Sequence, residues 1–188
     1  IGNIHYQRGD YPAALEQYGK ALKMKQDIGD KAGVAITLHQ IGNIHYQRGD
    51  YPAALEQYRK SLKTFQDIGD KASMAAVLHQ IGMIHQRRGD YPAALEHYQK
   101  ALKIAQDIGV KDGVALSMGQ IGNLFTQTGK FEQAFKHLMF ALTTFVELQS
   151  PNAKIVRNLL KNLQEKWGAK NFAAAWKKAT GEDVPEEL

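Results

Sequence analysis

Histidine is the residue type in this sequence best suited to metal binding or acid–base chemistry, because its side chain titrates near neutral pH. Three of the seven histidines, His5, His45 and His85, recur at intervals of forty residues. The next equivalent position holds Phe125. Because an aromatic ring replaces histidine there, we interpret these three side chains as rings packed in a core.

The remaining histidines are also spaced poorly for a shared metal ion. His39 and His79 occur once per forty residues on the opposite helix face. Neighbouring helix pairs pack about 10 Å apart, so these two rings cannot close on one ion. His97 and His137 have no carboxylate or histidine four residues later. The sequence therefore predicts no metal site and no cofactor.

Nucleophiles and nucleotide-binding loops are equally scarce. The chain has no cysteine, and its four serines fall at positions expected for packing, caps or turns, namely Ser61, Ser73, Ser117 and Ser150. No phosphate-binding loop, dinucleotide-binding glycine motif or nucleophile elbow is present. We therefore expect a protein that is not an enzyme.

The composition is that of a globular protein without a membrane span. Apolar residues make up 44% of the chain and charged residues 23%, and no run of about 18 apolar residues occurs. The net charge of +5 is mild and is better explained by a solvated surface than by a nucleic-acid site, so we do not expect nucleic-acid binding. The lack of cysteine is compatible with a reducing compartment, and we expect a cytoplasmic location.

One stretch of sequence organises the whole chain. Residues 1–18 return unchanged as residues 41–58, a third copy at 81–98 carries a few substitutions, and a looser fourth copy begins at Ile121. Because Ile1 falls in the middle of a repeat, we interpret the sequence as a fragment whose first repeat is truncated at its N terminus.

Each forty-residue unit has the pattern of two helices. Apolar residues at helical spacing lead up to Gly49, which is suited to end a helix in the left-handed conformation, and Asp50 is suited to cap the next helix. Gly69 and Asp70 repeat this pair, so each unit is predicted to be a helix hairpin with about 17 residues per arm.

Small residues mark where the helices of a hairpin are expected to touch. A glycine inside a helix costs about 1 kcal/mol relative to alanine, so its recurrence favours close helix contact. The recurring pairs are Gly2/Ala14, Gly42/Ala54, Gly82/Ala94 and Gly122/Ala134.

The pattern Leu38-x-x-Ile41-Gly42-x-x-His45 followed by Ala54-x-x-x-Tyr58 resembles the tetratricopeptide repeat signature. The resemblance covers residues 1–148 as four repeats, and the forty-residue unit is similar to the long variants of kinesin light chains and bacterial signalling proteins. It implies an all-α fold, a right-handed superhelical solenoid of antiparallel helix hairpins. The departures from the signature are the longer unit and the histidine at a position that is usually aromatic.

After Leu148 the forty-residue period ends. Ser150 and Pro151 are suited to cap and open a new helix, and a second short helix is predicted over 172–180. We interpret residues 149–181 as C-terminal capping helices, because an open solenoid needs terminal helices with a polar outer face. Residues 182–188 form an acidic tail.

The resemblance implies that the first helices of the repeats line a concave groove. Side chains of this face are mainly amides, which both donate and accept hydrogen bonds and therefore suit an extended peptide backbone. The predicted groove residues are Asn3, Tyr6, Gln7, Ile36, His39, Gln40, Asn43, Tyr46, Gln47, His79, Gln80, Met83, Gln86, Arg87, Gln120, Asn123 and Gln127. We expect a non-catalytic interaction scaffold that binds a protein partner as a peptide or helix.

Two alternatives remain open at this stage. Polar residues on a water-facing helix need no ligand, so the array can instead be a spacer or self-assembly arm of a larger signalling protein. The truncated N-terminal end is expected to expose apolar surface on Ala14, Leu15 and Tyr18, through which copies of the chain could form a homo-oligomer.

Overall fold

The structure is a computed structural model that describes residues 2–185. It contains ten α-helices and no strand within these residues, which confirms the predicted all-α class. The helices are α1 (Gly2–Gln7), α2 (Tyr11–Asp27), α3 (Lys31–Gln47), α4 (Tyr51–Ile68), α5 (Lys71–Arg87), α6 (Tyr91–Asp107), α7 (Lys111–Gln127), α8 (Phe131–Glu147), α9 (Asn152–Trp167) and α10 (Ala169–Thr180).

The Gly-Asp pairs end one helix and begin the next, as the sequence predicts. Gly49 and Gly69 have φ angles of +76°, in the left-handed region that glycine adopts without strain. The side chain of Asp50 accepts a hydrogen bond from the Ala53 N–H at 3.2 Å and so satisfies one free donor of the first turn. Most helices bounded in this way have 17 residues.

The fourth repeat lacks both side-chain caps. Val110 precedes α7 and Lys130 precedes α8, where earlier repeats have aspartate, and neither side chain makes a capping hydrogen bond. These two helix starts therefore leave first-turn N–H groups to solvent.

The chain divides into two compact units, the first of which is Ile1–His97. In this unit consecutive helices pack against each other from α1 to α5. Its buried core comes from both helices of the second hairpin and from α5, and consists of Ala35, Ala54, Leu55, Tyr58, Phe65, Val77, Ile81 and Ile84.

The predicted close contact at Gly42 is formed with a tyrosine ring. A Cβ atom added to Gly42 would lie 2.5 Å from Cε1 of Tyr58, which is fully buried. At Gly122 the same atom would lie 2.7 Å from Cγ of Leu138 and 3.2 Å from the Ala134 carbonyl oxygen. Glycine therefore lets the second helix of each of these hairpins place a large side chain on the backbone of the first.

The second unit is Tyr98–Leu188 and has its own core, to which α7, α8, α9 and α10 contribute. Aromatic rings join the last helices to α8: Phe135 lies 5.5 Å from Phe172 and 6.4 Å from Trp176 between ring centroids. Both α9 and α10 therefore bury apolar residues against the last hairpin.

The starts of the last helices differ by a few residues from the prediction. The Ser150 hydroxyl accepts from the Asn152 N–H at 3.3 Å, but the helix begins after Pro151 rather than at it. The α10 helix begins at Ala169, three residues before the predicted start. The division into residues 1–148, 149–181 and 182–188 stays a prediction, and Glu186 to Leu188 lie outside the described residues.

We expect the same substitution to have opposite effects at two helical glycines. Gly42→Ala forces the buried Tyr58 ring to move and should lower the free energy of unfolding by roughly 1–3 kcal/mol. Gly19→Ala, inside α2 with nothing within 4 Å of the added Cβ, should raise it by up to about 1 kcal/mol. Urea unfolding of both variants tests this, and equal effects would contradict the proposed role of Gly42.

Restoring the missing cap of α8 should stabilise the chain. Lys130→Asp gives the helix the capping carboxylate that Asp10, Asp50 and Asp90 supply to α2, α4 and α6. We expect a gain of roughly 0.5–1 kcal/mol in thermal or urea unfolding. Lys130→Asn, which caps without a charge, separates the hydrogen bond from the helix-dipole effect. No gain from either variant would show that the free N–H groups are fully satisfied by water.

Candidate functional site

Fourteen of the predicted groove residues lie in the first unit, on α1, α3 and α5, and we call them the first-helix face. Five are exposed: Asn3, Gln7, Ile36, Gln47 and Arg87. Eight are half-buried: Tyr6, His39, Gln40, Asn43, Tyr46, Gln80, Met83 and Gln86. His79 is buried. The other three predicted residues, Gln120, Asn123 and Gln127, lie on α7 in the second unit.

Arg87 on α5 is anchored to Tyr46 on α3. Its Nε–H donates to the tyrosine hydroxyl, and its Cζ lies 5.3 Å from the centre of the tyrosine ring. The ring of Tyr51 lies 6.0 Å from that of Tyr46 on the side of α4. A guanidinium has five N–H donors, so Arg87 keeps donors for a ligand while its position is fixed by the aromatic ring.

Asparagines of the face are tied to tyrosines of the paired helix. The Tyr58 hydroxyl donates to Oδ1 of Asn43 at 2.7 Å, and the Tyr18 hydroxyl donates to Oδ1 of Asn3. Each bond fixes the orientation of the amide and leaves its Nδ2 group to donate to a ligand. At Asn43 it makes a long contact of 3.4 Å with Gln40. The sequence analysis missed these bonds, although the spacing of fifteen residues recurs in both copies.

The structure also brings α1 and α3 together. Asn3, Ile36 and Gln40 line one open cleft of about 530 Å³ with Tyr18 and Lys25 of α2. Lys25 donates to the Gly33 carbonyl oxygen at 3.2 Å and to the Thr37 hydroxyl at 3.1 Å, so its ammonium group is held at the cleft wall.

His39 and His79 were predicted to lie on the helix face opposite the core, but His79 is buried and His39 is half-buried. The His79 side chain is 9% exposed. The His39 ring lies 5.5 Å from the ring of Tyr58, and its Nε2 has no hydrogen-bond partner among the described residues. The cause at His39 is Gly42: because this glycine has no side chain, Tyr58 reaches across α3 to the residue one turn earlier. Burial lowers the pKa of His39, and it lowers the pKa of His79 to about 4.

The histidines that were expected to be core rings have a polar partner that the sequence analysis missed. Each is half-buried, and its Nδ1 faces the second carboxylate oxygen of the aspartate that caps the following helix. The distances are 3.5 Å for His5 and Asp10, 3.7 Å for His45 and Asp50, and 3.2 Å for His85 and Asp90. The signal was present in the sequence as an i, i+5 spacing in three repeats.

The N-terminal end exposes different residues from those expected. Ala14 is fully buried, because α1 packs on it, and Leu15 and Tyr18 are half-buried. The large apolar side chains that α2 leaves in water are Met24, 68% exposed, and, at its C-terminal end, Ile28, 77% exposed. Apolar surface is therefore present at this end, but farther along α2.

No three histidine, aspartate or glutamate side chains among residues 2–185 converge as metal ligands would. None of the described helices is both long and apolar enough to span a bilayer.

Comparison with protein families and solved structures agrees with the fold of helix hairpins. The family model of the tetratricopeptide repeat matches residues 1–67 and 73–145. No curated protein sequence matches the chain significantly.

Three solved structures illustrate the similarity of fold. RapI without ligand has a TM-score of 0.83 at 19% identity, over 93% of this chain and 64% of RapI. A putative kinesin light chain of Podosopora anserina, described as having nearly identical repeats like those of the family, has a TM-score of 0.70 at 13% identity, over 96% of this chain and 94% of that one.

The third structure holds a ligand. The Rap conjugation gene regulator of the plasmid pLS20, in complex with a Phr peptide, has a TM-score of 0.76 at 16% identity. The alignment covers 96% of this chain and 50% of the regulator, so the chain spans about half the length of that protein. At these identities the similarity shows the fold.

Acid should destabilise the chain through His79. The unfolded side chain takes up a proton near its ordinary pKa of 6.5 and the folded one only near 4, so unfolding binds protons between these values and stability falls as pH falls. Between neutral pH and pH 4.5 the free energy of unfolding should fall by roughly 2–3 kcal/mol less for His79→Gln than for the native chain.

Urea unfolding at pH 7 and pH 4.5 measures the difference. His137→Gln is the matched control, because the ring of His137 is only half-buried and its Nδ1 lies 2.8 Å from the Gln133 carbonyl oxygen. The interpretation fails if the His79 variant loses as much stability in acid as the native chain.

Proposed function

Because the chain belongs to the tetratricopeptide repeat family, we propose that it is a protein-interaction scaffold that binds an extended peptide, or a helix of a partner protein, along the first-helix face. The observation that carries the proposal is the pairing of Arg87 with Tyr46 beside the oriented amide of Asn43. These groups supply a fixed cation, an aromatic surface and an N–H donor within one unit.

The oriented amides favour an extended main chain as the ligand. With Oδ1 of Asn3 and Asn43 accepting from tyrosine, each Nδ2 offers a donor to a carbonyl oxygen. The two amides come from identical repeats, so they present the same group at successive positions. Peptide carbonyls also recur at regular intervals, and a repeated donor therefore matches a repeated acceptor. Met83 replaces the asparagine in the third repeat and offers an apolar contact there.

The charges of these helices favour an acidic ligand. The helices α1, α3 and α5 contain no aspartate or glutamate, and Arg87 is an exposed cation at the end of α5. A ligand with an acidic side chain near Arg87 would therefore gain a charge-assisted hydrogen bond and meet no like charge on these helices. We expect the bound peptide to carry a carboxylate at this point.

The peptide in the Rap conjugation regulator supports this function by analogy of fold. Proteins of this family generally act as scaffolds rather than as enzymes, and we propose that this chain is likewise non-catalytic. A cytoplasmic location is also a proposal, and it rests on the absence of cysteine.

Self-assembly through the N-terminal end is a second candidate function. The exposed Met24 and Ile28 and the adjoining cleft of about 530 Å³ favour it, because they place apolar side chains beside an unfilled surface. In this function the chain would act as an assembly arm, and the first-helix face would have no ligand.

Substitution of the first-helix face should weaken peptide binding by at least tenfold, about 1.4 kcal/mol. Peptides are selected from a random displayed library against the native chain, and their dissociation constants are measured for the native chain and two variants. Asn43→Ala/Tyr46→Ala removes the amide and the aromatic surface. Arg87→Ala removes the cation without touching the core and should weaken acidic peptides most.

The matched control is Glu56→Ala/Lys60→Ala, which removes an exposed ion pair of α4. Circular dichroism and thermal unfolding establish that each variant is folded, which matters for Asn43→Ala because it leaves the Tyr58 hydroxyl without its acceptor. Selected peptides that bind native chain, variants and control equally would reject the first-helix face as the binding site. A library that yields no ligand would favour the assembly arm.

A further inference from the structure

The second unit contains an open cleft of about 490 Å³ between the start of α7 and the outer side of α8. We call it the fourth-repeat cleft, and its lining includes Lys111, Val114, Phe140, Thr143, Thr144 and Glu147. The Phe140 side chain is 44% exposed, and Val110, next to the lining residue Lys111, is 43% exposed. The cleft therefore holds one large apolar side chain, Phe140, in water, and a second, Val110, is exposed next to its lining.

The repeats provide an internal comparison, because the first unit has the same surface eighty residues earlier. Most of the lining is conserved between the two positions: Gly29, Lys31, Val34 and Thr64 correspond to Gly109, Lys111, Val114 and Thr144. Asp67 corresponds to Glu147 and keeps the charge. The cleft is therefore not the result of general sequence divergence in the fourth repeat.

Three exchanges distinguish the fourth-repeat cleft from that earlier surface. Lys60 becomes Phe140, Lys63 becomes Thr143, and Asp30 becomes Val110. Each exchange removes a formal charge, and two of them add a large apolar side chain. Together they make this surface less charged and more apolar, while Lys111 and Glu147 keep their charges.

The ion pair that holds the earlier lysine in place is also lost. Lys60 pairs with Glu56 at 2.6 Å, and Lys20 pairs with Glu16 at 2.5 Å, both one helical turn apart. In α8 the glutamate position is Lys136 and the lysine position is Phe140. The outer side of α8 has therefore exchanged a solvated ion pair for an aromatic ring beside a single cation.

We propose that the fourth-repeat cleft is a self-association site that takes the same cleft of a second copy of this chain. Lys111 on α7 and Glu147 on α8 line the two walls, one with each sign of charge. In a twofold contact Lys111 of each copy pairs with Glu147 of the other copy, so the ion pair forms twice. The two Phe140 side chains leave water in the same contact.

The corresponding surface of the first unit is unsuited to the same contact. There Lys60 and Lys63 stand where the fourth-repeat cleft has Phe140 and Thr143, so a twofold contact would have to bury Lys63 and the Lys60–Glu56 ion pair of both copies. The exchange of two lysines removes this cost at the fourth-repeat cleft. A contact this small belongs to the weak class of interfaces, and we expect a dissociation constant on the order of 100 µM.

The test is sedimentation equilibrium of the full chain over a concentration range from about 10 µM to 1 mM. The native chain should shift toward twice its monomer mass as concentration rises. Phe140→Lys restores the lysine of the earlier repeats at an exposed position, so it should remain folded and raise the dissociation constant at least tenfold. Met24→Lys, which changes the exposed N-terminal surface, should leave the dissociation constant unchanged.

Transplanting the cleft provides a gain-of-function arm. In the Phe140→Lys background, Lys60→Phe/Lys63→Thr makes two of the three exchanges in the first unit, and self-association should return. A native chain that remains monomeric at 1 mM would overturn the proposal and leave the cleft to a different protein. Association abolished by Met24→Lys and untouched by Phe140→Lys would also overturn it, in favour of the N-terminal surface. These outcomes do not depend on the peptide ligand, because no residue of the first-helix face is changed.

Discussion

The ring of Tyr58 lies on the backbone of Gly42, and the second hairpin depends on this contact. It sets how closely α3 and α4 approach, since a single added methyl group would overlap the ring. The same tyrosine orients Asn43 through its hydroxyl and covers His39 with its face. One side chain therefore joins the core of the hairpin to the surface that we propose for binding, and it fixes the orientation of Asn43 from within the core.

Identical sequences are buried to different extents in the two copies. Leu15 and Tyr18 are half-buried, whereas their counterparts Leu55 and Tyr58 are 5% and 0% exposed. The difference comes from the neighbours, because α1 is 6 residues long and α3 is 17. Each hairpin in such an array completes its core with the helices beside it, so the local sequence alone does not determine the burial of a residue.

The predictable features were those that depend on the backbone and on repetition. Asp50 and Gly49 indicated the helix boundaries because capping and the left-handed conformation are local requirements. The recurring glycines indicated close helix contact, because a glycine inside a helix lowers stability unless another helix needs the space. The partial burial of His39 could not be predicted, because the ring that covers it belongs to Tyr58 on another helix. The bond between Asn43 and Tyr58 was missed because helical periodicity places each of them on its own helix only.

The identity of residues 1–18 and 41–58 also affects how the chain finds its structure. The first eight residues of α2 are the same as those of α4, so α1 has equivalent contacts available on either helix. What distinguishes them is the loop that must close: residues 8–10 in the native hairpin and residues 8–50 in the alternative. The difference in closure entropy is about 2 kcal/mol in favour of the short loop. This preference holds within one molecule only, so exchange of hairpins between two chains becomes competitive as the protein concentration approaches the effective concentration that the short loop provides.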